Sequence, residues 1–122
     1  IGAFNEKKIT VFGDAGKFLG CFMKKGRIDV RGNAACDVGE AIEGGTIIVR
    51  GDVLPPEWDY HHNHGQVADK MAGGKIVVFG DVGEIGFDMK GGIVHVMGDY
   101  EALSESIQGG KIFHKGVLVF PK

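Results

Sequence analysis

The sequence predicts an all-β fold in which one short unit recurs along the whole chain, a parallel β-solenoid of about six coils of 18–19 residues. Three observations carry this. Six apolar runs alternate with the two-residue period of a strand, and each of the first five ends in Gly-Asp or Gly-Asn. A second apolar pair, always four residues apart, lies in each connecting half. Glycine supplies 22 of the 122 residues, far above the usual ~7%, with only three prolines. There is no Gly-X-Y period and 43% of the chain is hydrophobic, so neither collagen nor disorder fits. Glycine must serve a repeated backbone geometry.

The units follow in order. The first is Ile9-Thr-Val11-Phe-Gly13-Asp14, and the second is Ile28-Asp-Val30-Arg-Gly32-Asn33. The third is Ile47-Ile-Val49-Arg-Gly51-Asp52, and the fourth is Ile76-Val-Val78-Phe-Gly80-Asp81. Val94-His-Val96-Met-Gly98-Asp99 and Ile112-Phe-His114-Lys-Gly116 complete the series, with spacings of 19, 19, 29, 18 and 18 residues. The connecting pairs are Leu19/Met23, Val38/Ile42, Val67/Met71, Ile85/Met89 and Leu103/Ile107. Gly26, Gly45, Gly74, Gly92 and Gly110 precede the strands. A rung this short cannot hold a strand–helix–strand unit of roughly thirty residues. It fits one coil, whose strands stack in parallel about 4.8 Å apart and bury like columns on like. The column between the apolar positions (Thr10, Asp29, Ile48, Val77, His95, Phe113) is mixed, as an outer face should be.

The Asp/Asn column (Asp14, Asn33, Asp52, Asp81, Asp99) reads as a corner device in which each side chain accepts backbone N–H groups. Stacked calcium ligands would require Gly and Asp every nine residues, and the second half-period carries no regular Asp. The string "GDAGKF" at residues 13 to 18 lacks the GxxxxGK[ST] pattern of a phosphate loop. Its Gly-Asp belongs to the repeat.

The period breaks once. About ten extra residues, "LPPEWDYHHNHG" at 54–65, enlarge the third unit. An insertion into a solenoid projects from a corner as a loop, a common place for binding. Trp58, Tyr60 and His61 form an aromatic and histidine surface suited to a partner. An uncommitted surface loop is the second reading. The third is a transition-metal site of His62 and His64, on one side of an extended segment, with Asp59. At the end of the chain Val117, Leu118 and Phe120 belong to an apolar run that either caps the last coil or meets a partner or a second copy. His114 breaks the apolar rule of its column.

Composition narrows the remaining choices. Fourteen basic residues balance sixteen acidic ones without blocks of like charge, which argues against nucleic acid or an anionic membrane as partner. No apolar run reaches membrane-spanning length. Cys21 and Cys36 form no CxxC pair and read as reduced structural thiols, in keeping with the cytoplasm. No catalytic residues emerge from the spacings, and no cofactor is expected beyond the optional metal.

The unit resembles the GXGXG-repeat domain, whose pattern is roughly G-D-x-G-x-x-x-G-x-x-M-x-G-G-x-I-x-V-x-G. "GDVGEIGFDMKGGIVHVMGD" matches it best, followed by "GDAGKFLGCFMKKGRIDVRGN" and "GNAACDVGEAIEGGTIIVRGD". The resemblance runs from residue 9 to about 116. It implies that residues 1–122 are a single domain, a single-stranded right-handed parallel β-helix. Such domains form the C-terminal part of the glutamate synthase large subunit and the C subunit of formylmethanofuran dehydrogenase. A similar subunit occurs in N-methylglutamate synthase. The opening "IGAFNEKKITVFGDAGKFLG" is similar to the entry segment of glutamate synthases. The resemblance therefore implies a non-catalytic scaffold docked on larger oxidoreductase subunits. Glu101 and Ser104 stand where the pattern has glycine, and the insertion lies outside it.

Overall fold

The computed structural model describes residues 8–57, 59 and 63–121. All regular structure among them is β: β1 (Lys8–Val11), β2 (Arg27–Val30), β3 (Thr46–Val49), β4 (Lys75–Val78), β5 (Val82–Ile85), β6 (Ile93–Val96), β7 (Tyr100–Leu103), β8 (Lys111–His114) and β9 (Val117–Phe120). The main sheet runs β1-β2-β3-β4-β6-β8-β9, parallel throughout except for the β8–β9 hairpin. Six parallel strands enclose about five turns, one fewer than the six repeats suggest. The sixth unit supplies only a strand, because the chain reverses at Lys115-Gly116 and returns as β9.

The register is that of the repeat columns. Ile9, Ile28, Ile47, Ile76, Val94 and Ile112 stack in one file, and Val11, Val30, Val49, Val78, Val96 and His114 in the next. From Ile28 onward the apolar members of both files are fully buried. Leu19, Val38, Val67 and Ile85 face them with Met23, Ile42, Met71 and Met89, all at 0% exposure. The connecting halves contain more strand than the sequence suggests. β5 pairs in parallel with β7, and isolated parallel bridges run Ala15–Ala34–Val53 and Val38–Val67–Ile85.

The insertion leaves this frame intact. The Gly65 N–H donates to the Val53 carbonyl at 2.8 Å, closing the base of the loop. The Gly83 N–H then takes the Gly65 carbonyl at 2.8 Å, so Gly65 already stands in the coil. The side-chain departure from the repeat thus covers 54–64, and Val67 bridges Val38 as if nothing intervened.

The outer column holds one surprise. Asp29 is 3% exposed, because Arg50 of the next coil lies over it and donates from Nε (3.2 Å) and Nη2 (3.0 Å) to its two oxygens. These bonds hold its carboxyl below the usual carboxylate range despite burial. Arg50 also rests over the Phe79 ring, 5.1 Å from its centroid.

Candidate functional site

The Asp/Asn column is a ladder between coils. Asp14 Oδ1 accepts the Asn33 N–H at 2.8 Å, and Asn33 Oδ1 accepts the Asp52 N–H at 2.9 Å. Asp52 Oδ1 accepts the Asp81 N–H at 2.7 Å, and Asp81 Oδ1 the Asp99 N–H at 2.8 Å. The side chains do accept backbone N–H groups, but each donor belongs to the following coil. Asp14, Asp52 and Asp81 each leave their second carboxylate oxygen out of these bonds, and the carboxylates of the three successive rungs Asp52, Asp81 and Asp99 are stacked at about the 4.8 Å strand repeat.

Lys115 and His64 approach that stack. Lys115 Nζ lies 3.3 Å from Asp99 Oδ1. His64, from the C-terminal end of the insertion, reaches the other side, with Nε2 at 3.8 Å from Asp81 Oδ2. One ligand atom each from Asp52, His64 and Asp81 lies within 4.8 Å of the other two. Of the sequence-predicted metal residues, His64 is thus placed beside two ladder aspartates. Asp59 is held locally, its N–H donating to the Pro56 carbonyl at 3.0 Å. His62, and the contact residues Trp58, Tyr60 and His61, lie outside the described residues.

Glu101 holds His64 from the coil beyond. Its Oε1 accepts the Asn63 N–H at 3.2 Å and the His64 N–H at 3.0 Å, and lies 3.9 Å from His64 Nδ1. The position below it in the β5–β7 register is Gly83, where a Cβ would meet the His64 carbonyl at 2.6 Å. Glycine there leaves room for the His64 carbonyl, and Glu101, which stands in a glycine column of the repeat, holds Asn63 and His64 in place. Sequence reasoning marked Glu101 as a departure from the repeat; its role needed the fold.

A second polar cluster sits on a different corner. Asp69 Oδ2 and Asp37 Oδ1 are 3.0 and 3.2 Å from the amide nitrogen of Gln66 when that amide is oriented to donate. Burial, then Asp37 and the charges of Glu40 and Glu84, push the Asp69 carboxyl up to about 7. Cys36, beside Asp37, and Cys21, near Glu40, are free thiols. Burial first, and neighbouring carboxylates second, push both upward, which disfavours the reactive thiolate.

The terminal residues divide. Val117 and Leu118 are exposed at 64% and 45%, whereas Phe120 packs against the core. His114 keeps its core-column place by donating from Nε2 to the Gly98 carbonyl at 2.9 Å, with its ring edge-on to Tyr100. A further surface was not singled out from the sequence. Phe12, Arg31, Arg50, Phe79, Met97 and Lys115 occupy the position after each of the six parallel strands of the main sheet, all exposed, with Phe12 at 86%. The signal was present as a column of the repeat that is neither uniformly polar nor buried. No helix among the described residues is long and apolar enough to cross a membrane. Compared with protein-family models, curated proteins and solved structures, the chain matches none.

Proposed function

We propose that this chain is a non-catalytic docking module of a multi-subunit oxidoreductase, in the manner of the glutamate synthase β-helix. The observation that carries the docking part is the exposed file Phe12, Arg31, Arg50, Phe79, Met97 and Lys115. One residue per rung at about 4.8 Å gives a strip of roughly 24 Å. Its aromatic, arginine and methionine content is what protein interfaces concentrate. The rungs beneath are fixed by backbone pairing, so the strip presents these side chains with little ordering cost on association. The oxidoreductase part rests on the GXGXG resemblance, and a formylmethanofuran dehydrogenase-type partner is its nearest variant.

The test is co-purification from the native source, with partners identified by mass spectrometry. The reading expects a large amidotransferase, flavin/iron–sulfur or molybdopterin-type subunit in stoichiometric amount. A Phe12→Ser/Phe79→Ser variant should lose that subunit while keeping the wild-type circular dichroism spectrum. A chain that elutes alone, or a variant that retains its partner, rejects the proposal.

A further inference from the structure

We infer that Asp52, His64 and Asp81 form a binding site for a divalent first-row transition ion. The three come from separate parts of the chain: the third rung of the ladder, the end of the insertion and the fourth rung. Each already has its orientation fixed by something other than an ion. Asp52 Oδ1 is held by the Asp81 N–H and Asp81 Oδ1 by the Asp99 N–H. Asp81 Oδ2, the oxygen nearest the imidazole, is not the one engaged in the ladder. The His64 backbone is pinned by Glu101.

Chemistry points to the class of ion. One imidazole nitrogen with two carboxylate oxygens is a borderline donor set, which suits zinc, cobalt or manganese better than calcium. Ligand bonds of about 2.0–2.2 Å place tetrahedral donor atoms about 3.3–3.6 Å apart. The present separations, 3.8 Å for the His64–Asp81 pair and no more than 4.8 Å for any pair, need only side-chain adjustment to reach that. With Nε2 toward the ion, Nδ1 lies 3.9 Å from Glu101 Oε1, so a small shift on binding would bring it to a carboxylate that orients the histidine. Electrostatics favour the same ligand. Asp52, Asp81 and Glu101 carry three formal negative charges around one imidazole, and a divalent ion would offset two of them. His64 is 25% and Asp81 45% exposed at the side chain, so the ion would keep water on its open positions. The insertion then gains a purpose. It is the one break in the period, and it carries a nitrogen ligand to a stretch of the ladder where two aspartates follow each other.

The experiment is titration of the full chain with zinc, followed by calorimetry, and with cobalt, followed by its visible absorption. Wild type should bind one ion per chain, and zinc should raise its melting midpoint. His64→Ala and Asp81→Asn should each weaken binding by at least about tenfold. Asp81→Asn should fold, because Asn33 performs the same ladder role one coil pair below. A His61→Ala/His62→Ala variant should bind like wild type. Absence of stoichiometric binding overturns the inference. So does equal affinity in wild type, His64→Ala and Asp81→Asn, or loss of binding in the His61/His62 variant alone.

Discussion

At the scale of single residues, the interior shows a pair of coordinated exceptions. Gly20, Gly39, Ala68 and Gly86 occupy one position of the repeat, all with positive φ. A Cβ on Gly20 would collide with Cδ1 of Ile47, and one on Gly39 with Cδ1 of Ile76. The same register brings Ala68 to Val94, the one member of that buried file from Ile28 to Ile112 that lacks a Cδ1. The methyl of Ala68 thus takes space that isoleucine fills elsewhere. Val94→Ile should therefore cost about 1–3 kcal/mol by overpacking, read from urea midpoints. Ala68→Gly should cancel most of that in the double variant, and additive effects would contradict the pairing. Asp69 gives a second test at this scale. Its carboxyl is raised to about 7 in the fold from an ordinary 3.8. Between those values the native state binds more protons than the unfolded chain, so this group makes stability fall as pH rises, with the loss complete above about 7. Asp69→Asn should flatten that slope and stabilise the protein at pH 8 relative to wild type, compared through urea midpoints at pH 5 and pH 8. Asp37, Glu40 and Glu84 are the carboxylates whose charge faces Asp69.

Among elements, the ladder is where charge and geometry oppose each other. Its hydrogen bonds need only an oxygen acceptor, which asparagine supplies as well as aspartate, yet four of the five rungs are aspartate. Asn33 separates Asp14 from Asp52 and keeps the column from being wholly anionic. Asn33→Ala removes the acceptor for the Asp52 N–H and should cost about 0.5–1.5 kcal/mol. Asn33→Asp keeps the acceptor and adds like charge, so its destabilisation should shrink as salt is raised, whereas that of Asn33→Ala should not. Equal salt dependence in the two variants would refute this account. The ladder also shows where sequence reasoning stops. The column itself was legible, because Gly-Asp or Gly-Asn closes each of the first five units. Its donors were not, since a side chain at a corner can bond within its coil or to the next with the same residue types. The site at Asp52 and Asp81 was hidden for a related reason. Nothing in the histidine-bearing string tells which rung the loop folds back upon; that follows from Gly83 leaving room and Glu101 reaching across. The Asp69 cluster was nearer the surface of the sequence. Carrying the columns outward from Leu19 and Met23 would have stacked Asp37, Gln66 and Glu84 beside Glu40 and Asp69.

For the whole molecule, the governing fact is that a solenoid has two ends. Each parallel strand satisfies its neighbours, so the cost of termination falls on the first and last rungs. At the C-terminal end, β9 turns back on β8 with an antiparallel register from His114–Val117 to Ile112–Phe120. It covers the backbone edge of β8 while Val119 and Phe120 pack against the core. The apolar end of the chain, open in sequence between cap and interface, is thus divided: Val119 and Phe120 inward, Val117 and Leu118 outward. That division makes a distinct prediction for assembly. Truncation after Gly116 removes the cover and leaves β8 as a parallel edge with Ile112 uncapped, which should produce concentration-dependent association by light scattering. Val117→Lys/Leu118→Lys, by contrast, alters only the outward residues and should leave the chain's folding and edge protection intact. If the truncated chain stays monomeric with an unchanged melting midpoint, β9 is no cap. If the lysine variant associates as the truncation does, protection comes from the exposed side chains rather than from strand pairing.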